Sequence, residues 1–160
     1  MIGIMADSHD NLNSIKQAVR MFKRARCSLV IHAGDIVAPF AARELANLSC
    51  PVKAIFGNCD GERQGLEKTF SSFGEIKEAP LIFNQKNINF FVTHVPRNLD
   101  PLLASGKYHV VIYAHTHKPE IRKGKKNLLI NPGETGGWLS GRSTAAILDP
   151  GSLTVNIITL

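Results

Sequence analysis

The sequence has few cysteines, no long apolar run, and no repeated or low-complexity segment. Its three cysteines, Cys27, Cys50 and Cys59, are odd in number and lack zinc-type pairing, which argues against a disulfide framework and a structural zinc site. No stretch approaches the roughly 20 apolar residues of a membrane-spanning helix. The first residues already belong to a predicted strand, so we expect no cleaved signal peptide. The chain of 160 residues is predicted to be a single cytoplasmic domain over residues 1–160.

Acidic residues are fewer than basic ones, 13 against 19, which gives a formal net charge of +6. Such a charge favours anionic partners. The basic residues concentrate at 20–26 and at 118–126, which we interpret as a solvated helix end and an exposed hairpin turn around Gly124. Neither cluster interleaves basic residues with aromatic residues suited to stacking, so the sequence does not indicate a dedicated nucleic-acid surface.

Hydrophobic periodicity predicts three strand–helix units followed by a mainly β second half. Leu12, Ile15, Val19 and Phe22 recur at helical spacing and predict a helix over 11–26. Successive strand–helix units predict an α/β fold with parallel strands and right-handed crossovers. The other predicted elements are a helix from Pro39 with Ala41, Leu45 and Leu48 on its inner face, a helix with Leu66, Phe70 and Phe73 on one side, a short helix at 100–105, and strands in the opening run, 28–31, 52–56, within 75–93, 109–113, 119–123, 127–130, 143–149 and 153–159, the last four antiparallel.

Polar side chains with metal-binding capacity follow five of the predicted strands. Asp7, Asp35, Asn58, His94 and His115 each come at or just beyond a strand end. The carboxyl ends of strands form the functional edge of open α/β sheets, because the loops converge there. We therefore expect these five side chains to lie together, with His9 and His117 two residues beyond the first and last of them.

The residue types of this set favour a divalent metal centre. Asp, His and Asn suit a hard or borderline ion rather than a thiolate-bound zinc. Seven candidate ligands are too many for one tetrahedral ion and fit two ions that share a carboxylate. Two cations about 3.5–4 Å apart can hold a phosphoryl group and a hydroxide between them. Asp7 and Asp35 neutralise only part of the metal charge, which favours a phosphate ester as the substrate.

The ordered motifs resemble those of the calcineurin-like metallophosphoesterases, in particular the small single-domain phosphodiesterase branch. The resemblance rests on Asp7-Ser8-His9, Gly34-Asp35, Gly57-Asn58-Cys59-Asp60, Thr93-His94, Ala114-His115-Thr116-His117 and Asn131-Pro132-Gly133. It implies a four-layer αββα sandwich with two mixed sheets packed face to face. It further implies one ion held by Asp7, His9, Asp35 and His117 and a second held by Asp35, Asn58, His94 and His115.

The implied activity is hydrolysis of small or nucleotide-like phosphodiesters by in-line attack of a metal-bridging hydroxide. Members of the family use manganese, nickel, iron, zinc or magnesium, and manganese or nickel is our first expectation here. Many relatives have a histidine after the asparagine that helps to protonate the leaving group, whereas this chain has Cys59. Cysteine is a poor substitute for imidazole, so either good leaving groups or an acid that acts through a water molecule is expected. Cys59 and Asp60 are predicted to lie behind the ligands.

Other interpretations remain open from the sequence. The chain could be a non-catalytic interaction scaffold of the retromer-subunit type, a nuclease or a phosphomonoesterase. His32 and His109 are interpreted as structural histidines, His32 with a satisfied hydrogen bond, and Trp138 as part of a lid or a subunit contact. A homodimer is compatible with the resemblance to this branch, but the sequence does not specify the oligomeric state, the physiological substrate, the native metals or the general acid.

Overall fold

The computed structural model of the protein describes residues 1–160, and no residue is left out of the description. The chain forms eleven strands, four α-helices and one 3-10 segment. In chain order these are β1 (Ile2–Met5), α1 (Leu12–Arg24), β2 (Leu29–His32), α2 (Pro39–Ala42), the 3-10 segment Arg43–Asn47, β3 (Val52–Ile55), α3 (Arg63–Phe70), β4 (Gly74–Lys77), β5 (Leu81–Gln85), β6 (Ile88–Val92), α4 (Leu99–Ser105), β7 (Val110–Ile112), β8 (Glu120–Lys123), β9 (Leu128–Asn131), β10 (Thr144–Asp149) and β11 (Thr154–Thr159).

The strands form two mixed sheets. The first has the order β11-β10-β1-β2-β3-β4, in which β1 to β4 run parallel and β10 and β11 are antiparallel to their neighbours. The second has the order β5-β6-β7-β9-β8, in which β6, β7 and β9 run parallel and the two outer strands are antiparallel. The parallel strands β1 to β3 and β6, β7 and β9 are central, where strands buried on both faces are expected, whereas the parallel strand β4 lies at the edge of the first sheet.

Period-two alternation along the strands divides the core into layers. On β1, Ile2 and Ile4 face the second sheet, whereas Met5 packs under helices α1 to α3. A smaller cluster around Tyr108 and Val111 lies between the second sheet and α4. A Cβ on Gly3 would lie 2.5 Å from the Phe22 ring, so glycine lets α1 pack directly on β1. The result is the predicted αββα sandwich.

Helix α1 illustrates how the local sequence determines an element. Asn11 caps it by accepting a hydrogen bond from the Ser14 N–H at 3.3 Å, as asparagine commonly does at an N-cap. Lys23 and Arg24 occupy the last turn, where positive charge complements the helix dipole. The helix packs through the predicted apolar face. It ends two residues earlier than predicted, because Arg26 adopts a left-handed conformation, φ 51°.

Two of the predicted elements differ from the structure. The α-helix from Pro39 ends at Ala42 and continues as a 3-10 segment, although Leu45 remains buried as predicted. β4, which lies within the predicted strand region 75–93, pairs with β3 in the first sheet. β9 was expected to be antiparallel and is so only toward β8, since it runs parallel to β7. No helix combines the length and hydropathy needed to span a membrane.

Candidate metal centre

The predicted ligands meet at the carboxyl ends of the parallel strands, on loops with a strained backbone. Five of them have left-handed conformations, with φ of 50° at Asp7, 40° at His9, 60° at Asp35, 71° at His115 and 59° at His117. For residues other than glycine this region costs roughly 1–2 kcal/mol each, and such strain clusters at functional sites. Hydrogen bonds between loops hold the conformations, including Asp7 N–H to Gly34 O at 3.0 Å and His9 N–H to Asp35 O at 3.1 Å.

Asp60 fixes the loop that carries Asp35. Its carboxylate is buried and accepts four backbone N–H hydrogen bonds, two at each oxygen. The donors are Asp35 at 3.0 Å, Ile36 at 2.8 Å, Val37 at 2.7 Å and Gly57 at 2.7 Å. Asp60 thus joins the β2–α2 loop to the β3–α3 loop.

Asp35 lies at the centre of the cluster. Its Oδ2 is 3.3 Å from His94 Nε2 and 3.7 Å from His9 Nε2, and its Oδ1 accepts the Cys59 N–H at 2.8 Å. Burial raises the pKa of Asp35, but the hydrogen bonds from His94 and the Cys59 N–H outweigh it and hold the pKa well below the usual range. A Cβ on Gly57 would lie 2.1 Å from Asp35 Oδ1, so only glycine leaves room for this carboxylate.

One ring nitrogen of His94 bonds to the backbone, and the other is directed into the cluster. Its Nδ1 lies 2.9 Å from the Ala33 carbonyl, to which it donates. In the neutral ring, Nε2 then presents a lone pair to Asp35 Oδ2 at 3.3 Å and Asn58 Oδ1 at 2.9 Å. Burial lowers the pKa of His94, but the hydrogen bond to Asp35 overcomes this and raises it. His94 Nε2, Asp35 Oδ2 and Asn58 Oδ1 are three acceptors that face one another. They need either a proton on Nε2 or a bound cation between them.

Asp7 and His9 hold buried atoms without hydrogen-bond partners. Asp7 is fully buried, and its Oδ2 accepts the His115 N–H at 3.1 Å, but its Oδ1 has no partner. Burial raises the pKa of Asp7 to about 6. His9 Nε2 is also buried and unpartnered. An unpaired buried polar atom is costly, so the residues fit a bound metal.

Possible ligand atoms converge in three overlapping groups, each within 4.8 Å. These groups share members, as expected if ions share ligands. They are Asp7 with His9 and His117, His9 with Asp35 and Cys59, and Asp7 with Asp35 and His94. His115 and Asn58 are exposed at the rim: the His115 ring centroid lies 5.2 Å from that of His94, and both residues line a cleft of about 540 Å³. The assignment of each ligand to a particular ion stays a prediction.

Glu134 is a site residue that the sequence reasoning missed. It is completely buried, its Oε1 lies 3.2 Å from His117 Nδ1, and it accepts N–H hydrogen bonds from Leu139 and Ser140, the shortest at 2.7 Å. Burial raises the pKa of Glu134, but these hydrogen bonds prevail and lower it to about 2. The available signal was an acidic residue directly after the Asn131-Pro132-Gly133 turn, where a carboxylate can orient a metal-binding histidine.

Three other residues considered in the sequence analysis are Cys59, His109 and His32. Cys59 differs from the prediction that it lies behind the ligands, because it is exposed and lines the cleft. Partial burial and the nearby Asp35 carboxylate raise the pKa of the Cys59 thiol to about 11, which disfavours a thiolate nucleophile. His109 is structural, since its Nδ1 accepts the Asn89 N–H at 2.9 Å. His32 is buried as predicted and its Nε2 lies 3.0 Å from Ser8 Oγ, but its Nδ1 has no partner. Its hydrogen bonding is therefore only half satisfied.

Comparisons with known proteins agree with the fold and the loops described above. A family model described as the calcineurin-like phosphoesterase superfamily domain matches residues 1–152. Phosphodiesterase MJ0936 of Methanocaldococcus jannaschii is 39% identical over 152 residues, which are 92% of each chain. A solved structure of an archaeal phosphodiesterase is 36% identical, with a TM-score of 0.93 and 99% of each chain covered. Vps29 of Chaetomium thermophilum shares the fold, with a TM-score of 0.69 at 16% identity over 99% of this chain and 95% of that one.

Proposed function

The chain belongs to the calcineurin-like phosphoesterase superfamily, and from that premise we propose that it is a phosphodiesterase with a two-ion centre. The substrates we propose are small or nucleotide-like phosphodiesters. The observation that carries the proposal is the buried carboxylate and imidazole cluster around Asp35, in which Asp7 Oδ1 and His9 Nε2 have no hydrogen-bond partner. Phosphodiesterase MJ0936 and the solved archaeal phosphodiesterase, which share 39% and 36% of their residues with this chain, support the proposal.

We assign the ligands as the sequence motifs imply. One ion would be held by Asp7, His9, Asp35 and His117, and the other by Asp35, Asn58, His94 and His115. Asp35 Oδ2 lies 3.7 Å from His9 Nε2, a ligand proposed for the first ion, and 3.3 Å from His94 Nε2, a ligand proposed for the second. This position between the two sets supports its role as the shared ligand. Manganese and nickel are the first ions to test, followed by iron, zinc and magnesium, because the mixed oxygen and nitrogen donors suit all of them.

When bound, the divalent ions would supply Lewis-acid chemistry, attracting phosphoryl oxygens and making hydroxide available at neutral pH. The chain's own residues position this chemistry: Asp60 fixes the Asp35 loop, and Glu134 faces the far nitrogen of His117. Lys118 also lines the cleft and adds a positive charge suited to an anionic substrate. No imidazole follows Asn58, and the Cys59 thiol is a weak acid. Esters whose leaving group needs no protonation should therefore react best.

The test is hydrolysis of bis(p-nitrophenyl) phosphate by protein stripped with a chelator and reloaded with each metal in turn. We expect turnover that depends on the metal, with two ions bound per chain by elemental analysis. His115→Ala should lose both activity and one ion. His109→Ala is the matched control, because His109 hydrogen-bonds to Asn89 away from the cleft, and it should retain both.

The outcomes separate the competing functions. Protein that binds no ion and cleaves no diester with any metal would contradict the proposal and favour an interaction scaffold. Preference for polynucleotide, with activity falling steeply as salt is added, would indicate a nuclease. Preference for monoesters would indicate a phosphomonoesterase. The proposal further includes a cytoplasmic location and a homodimer, which fractionation and sedimentation would test.

A further inference from the structure

The two most exposed large apolar side chains of the protein are adjacent and lie at the mouth of the metal cleft. Trp138 is 64% exposed and Leu139 is 81% exposed. Leu139 lines the cleft, and Trp138 contacts His9, another lining residue. Single exposed apolar residues are common on protein surfaces. An adjacent pair beside a cleft that is otherwise lined mainly by polar residues indicates a binding role.

Hydrogen bonds hold this pair in place. The Trp138 indole N–H donates to the His9 carbonyl at 3.0 Å, and the Leu139 N–H donates to Glu134 at 3.0 Å. At the start of the loop, the Gly136 N–H donates to the Asp7 carbonyl at 2.9 Å. The loop is therefore fastened to the loops that carry the candidate ligands. A surface fixed in this way loses little conformational entropy when a ligand binds to it.

We propose that Trp138 and Leu139 bind an aromatic ester group of the phosphodiester substrate while its phosphate lies over the metal ligands. This inference rests on the proposed function and narrows its substrate class to aryl and nucleoside diesters. Within the cleft, Lys118 offers positive charge to the phosphate, whereas a ring needs an apolar surface. Stacking on an indole tolerates any flat ring, so we expect a preference for aromatic over alkyl esters without selectivity among bases.

A second copy of this chain is the competing occupant, and the available area argues against it. A large aromatic side chain can bury about 150–250 Å² in all, and Trp138 is only 64% exposed. Two such side chains from each copy therefore stay below the roughly 1,000 Å² in total that a stable interface needs. The same area is ample for one ring of a small ester.

The experiment uses metal-loaded enzyme and two substrates with the same leaving group, methyl p-nitrophenyl phosphate and phenyl p-nitrophenyl phosphate. Leu139→Ser is the cleaner variant because it removes the apolar side chain and keeps the backbone N–H bond to Glu134. Trp138→Ala and Trp138→Phe form the second pair, since phenylalanine restores a ring without the indole N–H. Phe40→Ala is the control: Phe40 is an aromatic residue 50% exposed outside the cleft.

We expect Leu139→Ser and Trp138→Ala to raise KM about tenfold, with kcat and bound metal unchanged and with partial rescue in Trp138→Phe. A loss confined to the phenyl ester would assign the pair to the group retained on phosphorus, and a similar loss with both esters would assign it to the leaving aryl group. KM values within twofold of wild type for both esters would overturn the inference. Conversion of a dimer to a monomer, with KM unchanged, would assign the pair to a subunit contact instead. Wild-type protein inactive on both esters with every metal would refute the proposed function itself.

Discussion

Replacing Asp60 by asparagine should be among the most destabilising conservative changes in this protein. The two carboxylate oxygens of Asp60 accept two backbone N–H groups each. Asparagine keeps one oxygen and presents an NH₂ group to the other two donors. Leaving a buried donor unsatisfied costs about 1–3 kcal/mol, so Asp60→Asn should lower the free energy of unfolding by about 2–6 kcal/mol. That is a large part of the roughly 5–15 kcal/mol that holds a typical domain folded.

Urea unfolding followed by circular dichroism, in the presence of a chelator, measures this effect without any metal contribution. The matched control is Asp10→Asn, because Asp10 accepts a single backbone N–H, that of Ala38 at 2.9 Å, and asparagine retains one acceptor. The control should lose less than about 1 kcal/mol. If Asp60→Asn lost no more than the control, the four hydrogen bonds would not hold the loop as described. Folded Asp60→Asn protein should also bind metal more weakly, since its Asp35 loop is released.

Two further predictions concern Glu134 and Tyr113. Glu134→Gln should weaken binding of a divalent ion by about 10- to 100-fold in calorimetric titration, because no carboxylate then faces His117. The control is Glu67→Gln, an exposed change that should leave the affinity unchanged. Equal affinities of Glu134→Gln and wild type would contradict the role of Glu134. Burial and the hydrogen bond to Glu120 raise the pKa of Tyr113 to about 12. The unfolded phenol loses its proton near pH 10, so this residue's stabilising effect, complete below pH 10, should decline as the pH rises toward 12. Absorbance titration should show a phenolate transition near pH 12, which Glu120→Gln moves to lower pH. An unmoved transition would contradict the assignment.

The parts of the fold that depend on neighbouring residues in the chain were predictable. Apolar runs and helical spacing identified β1 and α1, and the regular strand–helix succession identified the parallel arrangement of β1 to β3. Strand ends also predicted that Asp7, Asp35 and His94 would meet, because the carboxyl ends of parallel strands lie on one edge of a sheet. The prediction for these residues needed only the order of the elements and not their packing.

The pairing of the later strands could not be obtained in the same way. β9 runs parallel to β7 and antiparallel to β8, and an apolar run of four residues has the same pattern in either direction. The segment after Ala42 has the predicted apolar face but forms 3-10 rather than α-helical turns. Side-chain periodicity over a single turn does not distinguish these two kinds of helix.

By itself, the sequence determined the residue types of the site and the loops that carry them, since these depend on motifs and on strand ends. Only the tertiary structure decided what holds those loops and what borders them. Contacts between segments distant in the chain include Glu134 behind His117, the hydrogen bonds from the Asp35 loop to Asp60 and the apolar pair at the cleft mouth. Such contacts leave no periodic pattern in the sequence, because they depend on where separate loops meet in space.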